Sequence, residues 1–133
     1  MNKDQVFDEV RDLIVEALGV DEEQVELKTR LIEELDAESL DFLDIVFRLE
    51  RSFGIKIPRG EVESKARGGL ADVDFEVDGM VTPVGLEALQ RVMPEVDPIN
   101  FKEGLAVKDI PRLFTVETFY NIVLEKLAER GRL

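Results

Sequence analysis

The chain has 133 residues, 44% of them hydrophobic, and no cysteine, histidine or tryptophan. That length sustains a core without staples, and the missing residue types exclude disulfides, thiolate metal sites, Ser-His and Cys-His nucleophile pairs and the usual zinc ligand sets. Seventeen basic against thirty acidic residues leave a net charge of −13, a field that repels nucleic-acid phosphates and anionic membranes and favours basic partners.

A single domain over 1–133 is the expectation for this length. No apolar run follows a basic N-terminal segment, and none approaches membrane-spanning length, so a cytoplasmic protein without membrane insertion is expected. In chain order, residues 3–18 predict a helix. Val6, Val10, Leu13 and Ala17 recur at i, i+4, i+7 and i+11, Phe7, Ile14 and Leu18 widen the stripe, and Gly19 stands as its stop. From Val20 to Glu38 the period breaks. Val25, Leu27, Leu31, Ile32 and Leu35 read as scattered apolar anchors of a long loop, and loops of that length are often functional.

Ser39 then reads as the N-cap of a helix that ends at Gly54. Phe42, Val46, Leu49 and Phe53 fall on one helical stripe, with Leu43 and Phe47 as a second i, i+4 pair beside it. A helix covering one core face needs only the first stripe. The second needs a partner of its own: a bound chain, another protein or the chain's own insert. Ile55 to Pro58 reads as short and extended.

Residues 59–108 read as an insert. Arg59–Ala66 is compatible with a short helix, and Gly68-Gly69 punctuates it. Val73, Phe75 and Val77 alternate with acids, a half-buried strand pattern. Asp78-Gly79 is a hairpin turn signal, with Met80 to Thr82 returning as the second strand. Thr82-Pro83 then opens a short amphipathic helix through Leu86, Leu89 and Met93, stopped by Pro94. Beyond the insert, Asp109 caps one helical turn. Thr115 caps a last helix with Val116, Phe119 or Tyr120, Val123 and Leu127 on one face, ended by Gly131. No repeat of 20–50 residues is present.

Two local patterns invite chemistry. Asp74 to Val81 matches the first half of a calcium-binding EF-hand loop, but position 12 is Gly85 and Glu87 falls two residues late. The strand pattern accounts for those alternating acids better. Ser39 has the simple reading of a capping serine, although Phe42 occupies the place where a capping box would want Glu or Gln. A hydroxyl at a helix start is also exposed beside free backbone N–H groups, a suitable place for a covalently attached phosphodiester. No base accompanies it, so it is a poor nucleophile for catalysis of its own.

The run Leu35-Asp36-Ala37-Glu38-Ser39-Leu40-Asp41-Phe42-Leu43-Asp44 resembles the signature of acyl carrier proteins, roughly L-G-x-D-S-L-(D/E). The similarity covers most of 1–58 and, more weakly, 105–130. It implies a mainly α fold, a helical bundle of the acyl-carrier type, and the insert read at 59–108, a small β-hairpin plus short helix, lies where ordinary carriers have a shorter connection. It implies 4′-phosphopantetheine attached covalently to Ser39 by a phosphopantetheinyl transferase, and a monomeric protein that is not an enzyme but holds acyl intermediates as thioesters. Its partners would be acyl-chain synthesising and transferring enzymes with basic docking surfaces, met by Glu38, Asp41, Leu43, Asp44, Phe47 and Glu50. Glu34 and Asp36 join these acids in steering such partners.

The segments Phe42–Phe47 and Phe53–Pro58 look most like specialised bacterial carriers, including those that deliver very long acyl chains for lipid A, which implies fatty acid and lipid biosynthesis. Two readings stand beside it: a peptidyl or polyketide carrier of secondary metabolism, and an unmodified acidic interaction module of the same fold. The chain departs from the family pattern at Asp36, where glycine is usual, and at Glu38, where aspartate is usual. Arg48 and Arg51 interrupt the acidic face.

Overall fold

The computed structural model describes residues 1–58, 61, 67 and 70–133. The chain divides into two compact units, Met1–Ile57 with Phe114–Leu133, and Pro58–Leu113.

The first unit is a helical bundle. Helix α1 (Lys3–Leu18) is capped by Asn2, whose side chain accepts the Gln5 N–H at 2.9 Å while Gln5 returns an acceptor to Asn2 at 3.0 Å. Val6, Val10 and Ile14 are its fully buried stripe, and Gly19 closes it in the left-handed conformation at φ 65°. The expected long loop from Val20 to Glu38 is not a plain loop. It holds a 3₁₀ turn (Glu22–Gln24) and a short helix α2 (Leu31–Leu35). Leu31 and Leu35 sit one turn apart and both bury, but five residues are too few to display a period in the sequence.

Helix α3 (Ser39–Phe53) follows, and α6 (Val116–Glu129) completes the bundle. The stripe that α3 buries is Ile45, Leu49 and Phe53. This corrects the expected set: Phe42 and Val46 are only half-buried and flank the seam. Helix α6 buries Val116, Phe119, Ile122, Val123 and Leu127, and Thr115 caps it. Phe119, not Tyr120, holds the core face; Tyr120 meets the edge of Phe7 at 6.0 Å. Burial of the Tyr120 phenol and the nearby carboxylates of Asp4 and Glu117 raise its pKa above the ordinary tyrosine value.

Backbone hydrogen bonds lace the segment before and into α2 onto the start of α6. The Leu31 N–H reaches the Phe114 carbonyl at 3.2 Å, the Val116 N–H the Thr29 carbonyl at 3.0 Å, and the Glu117 N–H the Leu27 carbonyl at 3.0 Å. Thr29, itself buried, accepts the Glu26 N–H and donates to the Gln24 carbonyl. These bonds pair part of the connecting chain's backbone within the bundle. At the far end of α3, the Arg132 guanidinium donates to the Phe53 carbonyl beside the Gly54 cap.

In the second unit, the expected strand over 72–78 is largely helical. A single turn α4 (Asp72–Phe75) precedes two-residue strands β1 (Glu76–Val77) and β2 (Met80–Val81). The Ala71 carbonyl accepts the N–H of both Asp74 and Phe75 and closes the turn. Phe75 is buried whereas Val73 and Val77 are exposed, so the alternation in the sequence does not mark a buried face.

The hairpin itself forms as expected. Asp78 and Gly79 have φ of 52° and 80°, the left-handed pair of a type I′ turn, and Val77 pairs with Met80. Thr82 caps helix α5 (Pro83–Val92) by accepting the Gly85 N–H at 3.0 Å, and its hydroxyl also reaches the Asp74 carbonyl at 2.6 Å. A Cβ at Gly85 would lie 2.7 Å from the Phe75 carbonyl oxygen and 2.8 Å from Val81. Glycine is thus what lets α5 press onto the hairpin. Turns of 3₁₀ helix at Pro98–Asn100 and Val107–Leu113 complete the unit. The expectations for Arg59–Ala66 and Gly68-Gly69 lie outside the described residues.

Two outcomes separate core from surface. Ile45→Ala should cost about 2–5 kcal/mol in denaturant unfolding, while Leu43→Ala on the same helix should stay within about 0.5 kcal/mol. Gly85→Ala should destabilise the second unit by about 1–3 kcal/mol, seen as accelerated amide exchange along the hairpin.

Candidate functional site

The site forms where α2 turns into α3. Helix α2 ends at Asp36, which adopts the left-handed conformation at φ 57°. This is a position that favours glycine, and an aspartate holds it at a cost in backbone strain. The next residue, Ala37, is buried, and its N–H donates to the Leu31 carbonyl at 3.0 Å. The chain is thereby reversed tightly, and Glu38 is delivered in an extended conformation to the head of α3.

Glu38, not Ser39, is the N-cap. The Glu38 N–H donates to the Asp41 carboxylate at 2.8 Å, the return half of a capping box set one residue earlier than the sequence suggested. Relieved of capping, Ser39 is the first helical residue and is exposed, and its hydroxyl makes no hydrogen bond among the described residues. Its own N–H and that of Leu40 lie at a helix start, where no intrahelical acceptor exists. The residues fit a phosphodiester at the Ser39 oxygen. The hydroxyl is accessible, and the positive end of a 15-residue helix stands behind it.

Two surfaces flank Ser39. On one side Phe42, half-buried, packs its ring 5.7 Å from Phe114 and 5.8 Å from Phe119, and those two rings meet edge-on at 6.4 Å. On the other side Leu43 and Phe47 are 40% and 51% exposed. Leu40, which the sequence reading did not single out, is more exposed than either. It continues the same stripe at i, i+3 and i+7. That spacing was available in the sequence, but a residue beside a capping serine invites no such reading.

The acids named from the sequence divide by what they hold. The Asp41 carboxylate serves the Glu38 N–H, Glu34 accepts the Arg30 N–H at 2.6 Å, and Glu50 accepts the Ile57 N–H at 2.8 Å. Asp44 pairs with Arg48 at 3.1 Å, and Arg48 also reaches Glu16 at 3.5 Å. Arg48 is therefore neutralised on its own surface, and such partly exposed pairs add little stability. Asp36 and Glu38 are exposed beside Ser39. Among the described residues no group of three or more acids is placed to hold a metal ion.

Comparison with known proteins points to one family. The family described as "Phosphopantetheine attachment site" matches residues 8–67. The acyl carrier protein of Campylobacter curvus is 48% identical over 58 residues, covering 44% of this chain and 75% of that protein. That of Campylobacter fetus subsp. fetus is 40% identical over 75 residues, 56% of this chain and 95% of that protein. That of Thermotoga maritima is 40% identical over 62 residues, 47% of this chain and 76% of that protein.

The strain at Asp36 has a measurable consequence. Asp36→Gly should raise stability by about 0.5–1 kcal/mol after allowing for glycine's greater unfolded-state freedom, and Asp36→Val should lower it by more than that. Urea midpoints at constant slope read both.

Proposed function

The chain belongs to the acyl carrier protein family, and on that premise we propose that Ser39 bears its covalent 4′-phosphopantetheine and that the protein holds acyl groups for specialised lipid synthesis. The observation that carries this reading is the exposed Ser39 hydroxyl at the first residue of α3, released from capping by Glu38 and standing at the positive end of the helix. The attached arm supplies the thiol, and with it the thioester, in a chain that has no cysteine.

What the protein's own residues do is hold and present. Asp36 and Ala37 reverse the chain so that Ser39 stands clear of the bundle. The helix start orients toward the phosphate oxygens. Leu40, Leu43 and Phe47 form the apolar centre of a docking face, and the carboxylates of Glu38, Asp41 and Asp44 bias it toward enzymes with basic surfaces. Glu50 belongs to this set mainly through Ile57, since its carboxylate fixes the exit of α3. We read Pro58–Leu113 as an insert within one carrier domain. It supports a specialised carrier over a housekeeping one, as does the longer Glu38 where the family's usual aspartate stands.

Incubation with coenzyme A and a promiscuous phosphopantetheinyl transferase should add one phosphopantetheine to the wild-type protein by intact mass and none to Ser39→Ala. An unchanged wild-type mass with several transferases would sink the carrier reading, and an equal gain in Ser39→Ala would move the attachment elsewhere. The rate of loading should fall as ionic strength rises from about 0.01 to 0.15 M, over which the screening length shrinks from about 30 to 8 Å.

A further inference from the structure

Three phenylalanines meet one turn beyond Ser39. Phe42 lies on the same face of α3 as Ser39, at i+3. Its ring centroid is 5.7 Å from that of Phe114 and 5.8 Å from that of Phe119, and the latter two are 6.4 Å apart. Each ring is therefore in contact range of the other two, but the three are not held alike. Phe114 and Phe119 are 7% and 1% exposed, and the Phe114 carbonyl is tied to the Leu31 N–H. Phe42 is only half-buried and is the outermost ring of the cluster. A helix leaves an aromatic side chain two χ1 wells, so this ring can leave the cluster by a rotamer change without moving the backbone.

Its departure uncovers an apolar floor, the two buried rings. The hydroxyls between them in sequence, those of Thr115 and Thr118, are buried and engaged with each other and with the backbone N–H groups of the α6 cap. An apolar space left empty is costly, and an apolar guest of matching size fills it. A single helical turn is about 5.4 Å, so an acyl tail on a flexible arm at Ser39 reaches the ring by folding back. A tail of about six carbons has the volume of one phenyl ring, and volume-conserving apolar exchanges are those a core tolerates best. The exposed stripe of Leu40, Leu43 and Phe47 offers the same tail contact on one side only.

On the carrier reading of Ser39, we propose that Phe42 is a specificity-determining residue. In the unloaded protein its ring occupies the space that the acyl tail takes in the loaded one, and the size of that ring limits the sheltered part of the tail to about six carbons. A longer tail leaves its remainder outside the cluster, and a tail ending in a charged group is rejected by the apolar floor.

The test loads the full chain from acetyl-, hexanoyl- and hexadecanoyl-coenzyme A with a promiscuous phosphopantetheinyl transferase, each product checked by intact mass. Nuclear Overhauser contacts from the Phe42 ring to those of Phe114 and Phe119 should persist in the acetyl form. In the hexanoyl form they should be lost and replaced by contacts from the acyl methylenes. Phe42→Ala should lower the urea midpoint of the unloaded protein, followed by the fluorescence of Tyr120, the chain's single tyrosine. Hexanoyl loading should restore most of that loss, acetyl loading little of it, and hexadecanoyl loading no more than hexanoyl. Where the alanine variant does not fold, Phe42→Leu should show a smaller loss and the same order of rescue. A wild type that gains no mass sinks the carrier reading itself. Loading that leaves the ring contacts intact in the hexanoyl form, equal rescue by acetyl and hexanoyl tails, or a further large gain with hexadecanoyl overturns the role of Phe42 and leaves the carrier reading standing.

Discussion

Helix α3 has to satisfy two demands at once, and the bundle is arranged by how it does so. Ile45, Leu49 and Phe53 must be buried against α1 and α6, which fixes the rotation of the helix about its axis. That rotation leaves Leu40, Leu43 and Phe47 facing solvent. At the amino end of the same helix Ser39 is exposed, and its side chain does not serve as the cap. Moving the cap to Glu38 reconciles the two demands. Glu38 and Asp41 fix the helix start between them, and the serine is spared a structural duty.

The acids of this protein are not a uniform coat. In the bundle several are fastened to backbone N–H groups: Glu34 to Arg30, Asp41 to Glu38 and Glu50 to Ile57. Hydrogen bonds to charged acceptors are among the stronger ones, so these carboxylates shape the site before they attract anything to it. Among the described residues, the carboxylates of Asp74, Glu76 and Asp78 hold no backbone N–H in this way.

Much of this was legible in the chain. Helix α1 with its Gly19 stop, the Thr115 cap, and the Asp78-Gly79 turn each follow from a strong local rule, and tertiary packing did not override it. The run around Ser39 carried the family by resemblance. What stayed hidden depended on neighbours distant in sequence. Helix α2 exists because Leu31 and Leu35 find the core and because the Leu31 N–H finds Phe114. Ile45 outranks Phe42 in burial because of the rotation of α3, which no single helix determines alone. The alternation from Val73 to Val77 imitated a buried strand because period two says nothing about which side meets a core. Asp36 could be seen as a departure from glycine, but its left-handed backbone could not.

The bundle is discontinuous in sequence, with α6 lying beyond the whole of Pro58–Leu113. A growing chain therefore presents α1 and α3 to the ribosome exit well before the helix that encloses their apolar faces has been made. Ile45, Leu49 and Phe53 have nothing from α6 to pack on until the entire second unit has emerged. Joining the ends of so long an intervening segment adds only modest entropy to the equilibrium cost, so the arrangement weighs on timing far more than on stability. The order of the segments thus acts as a clock: the scaffold behind Ser39 is completed last.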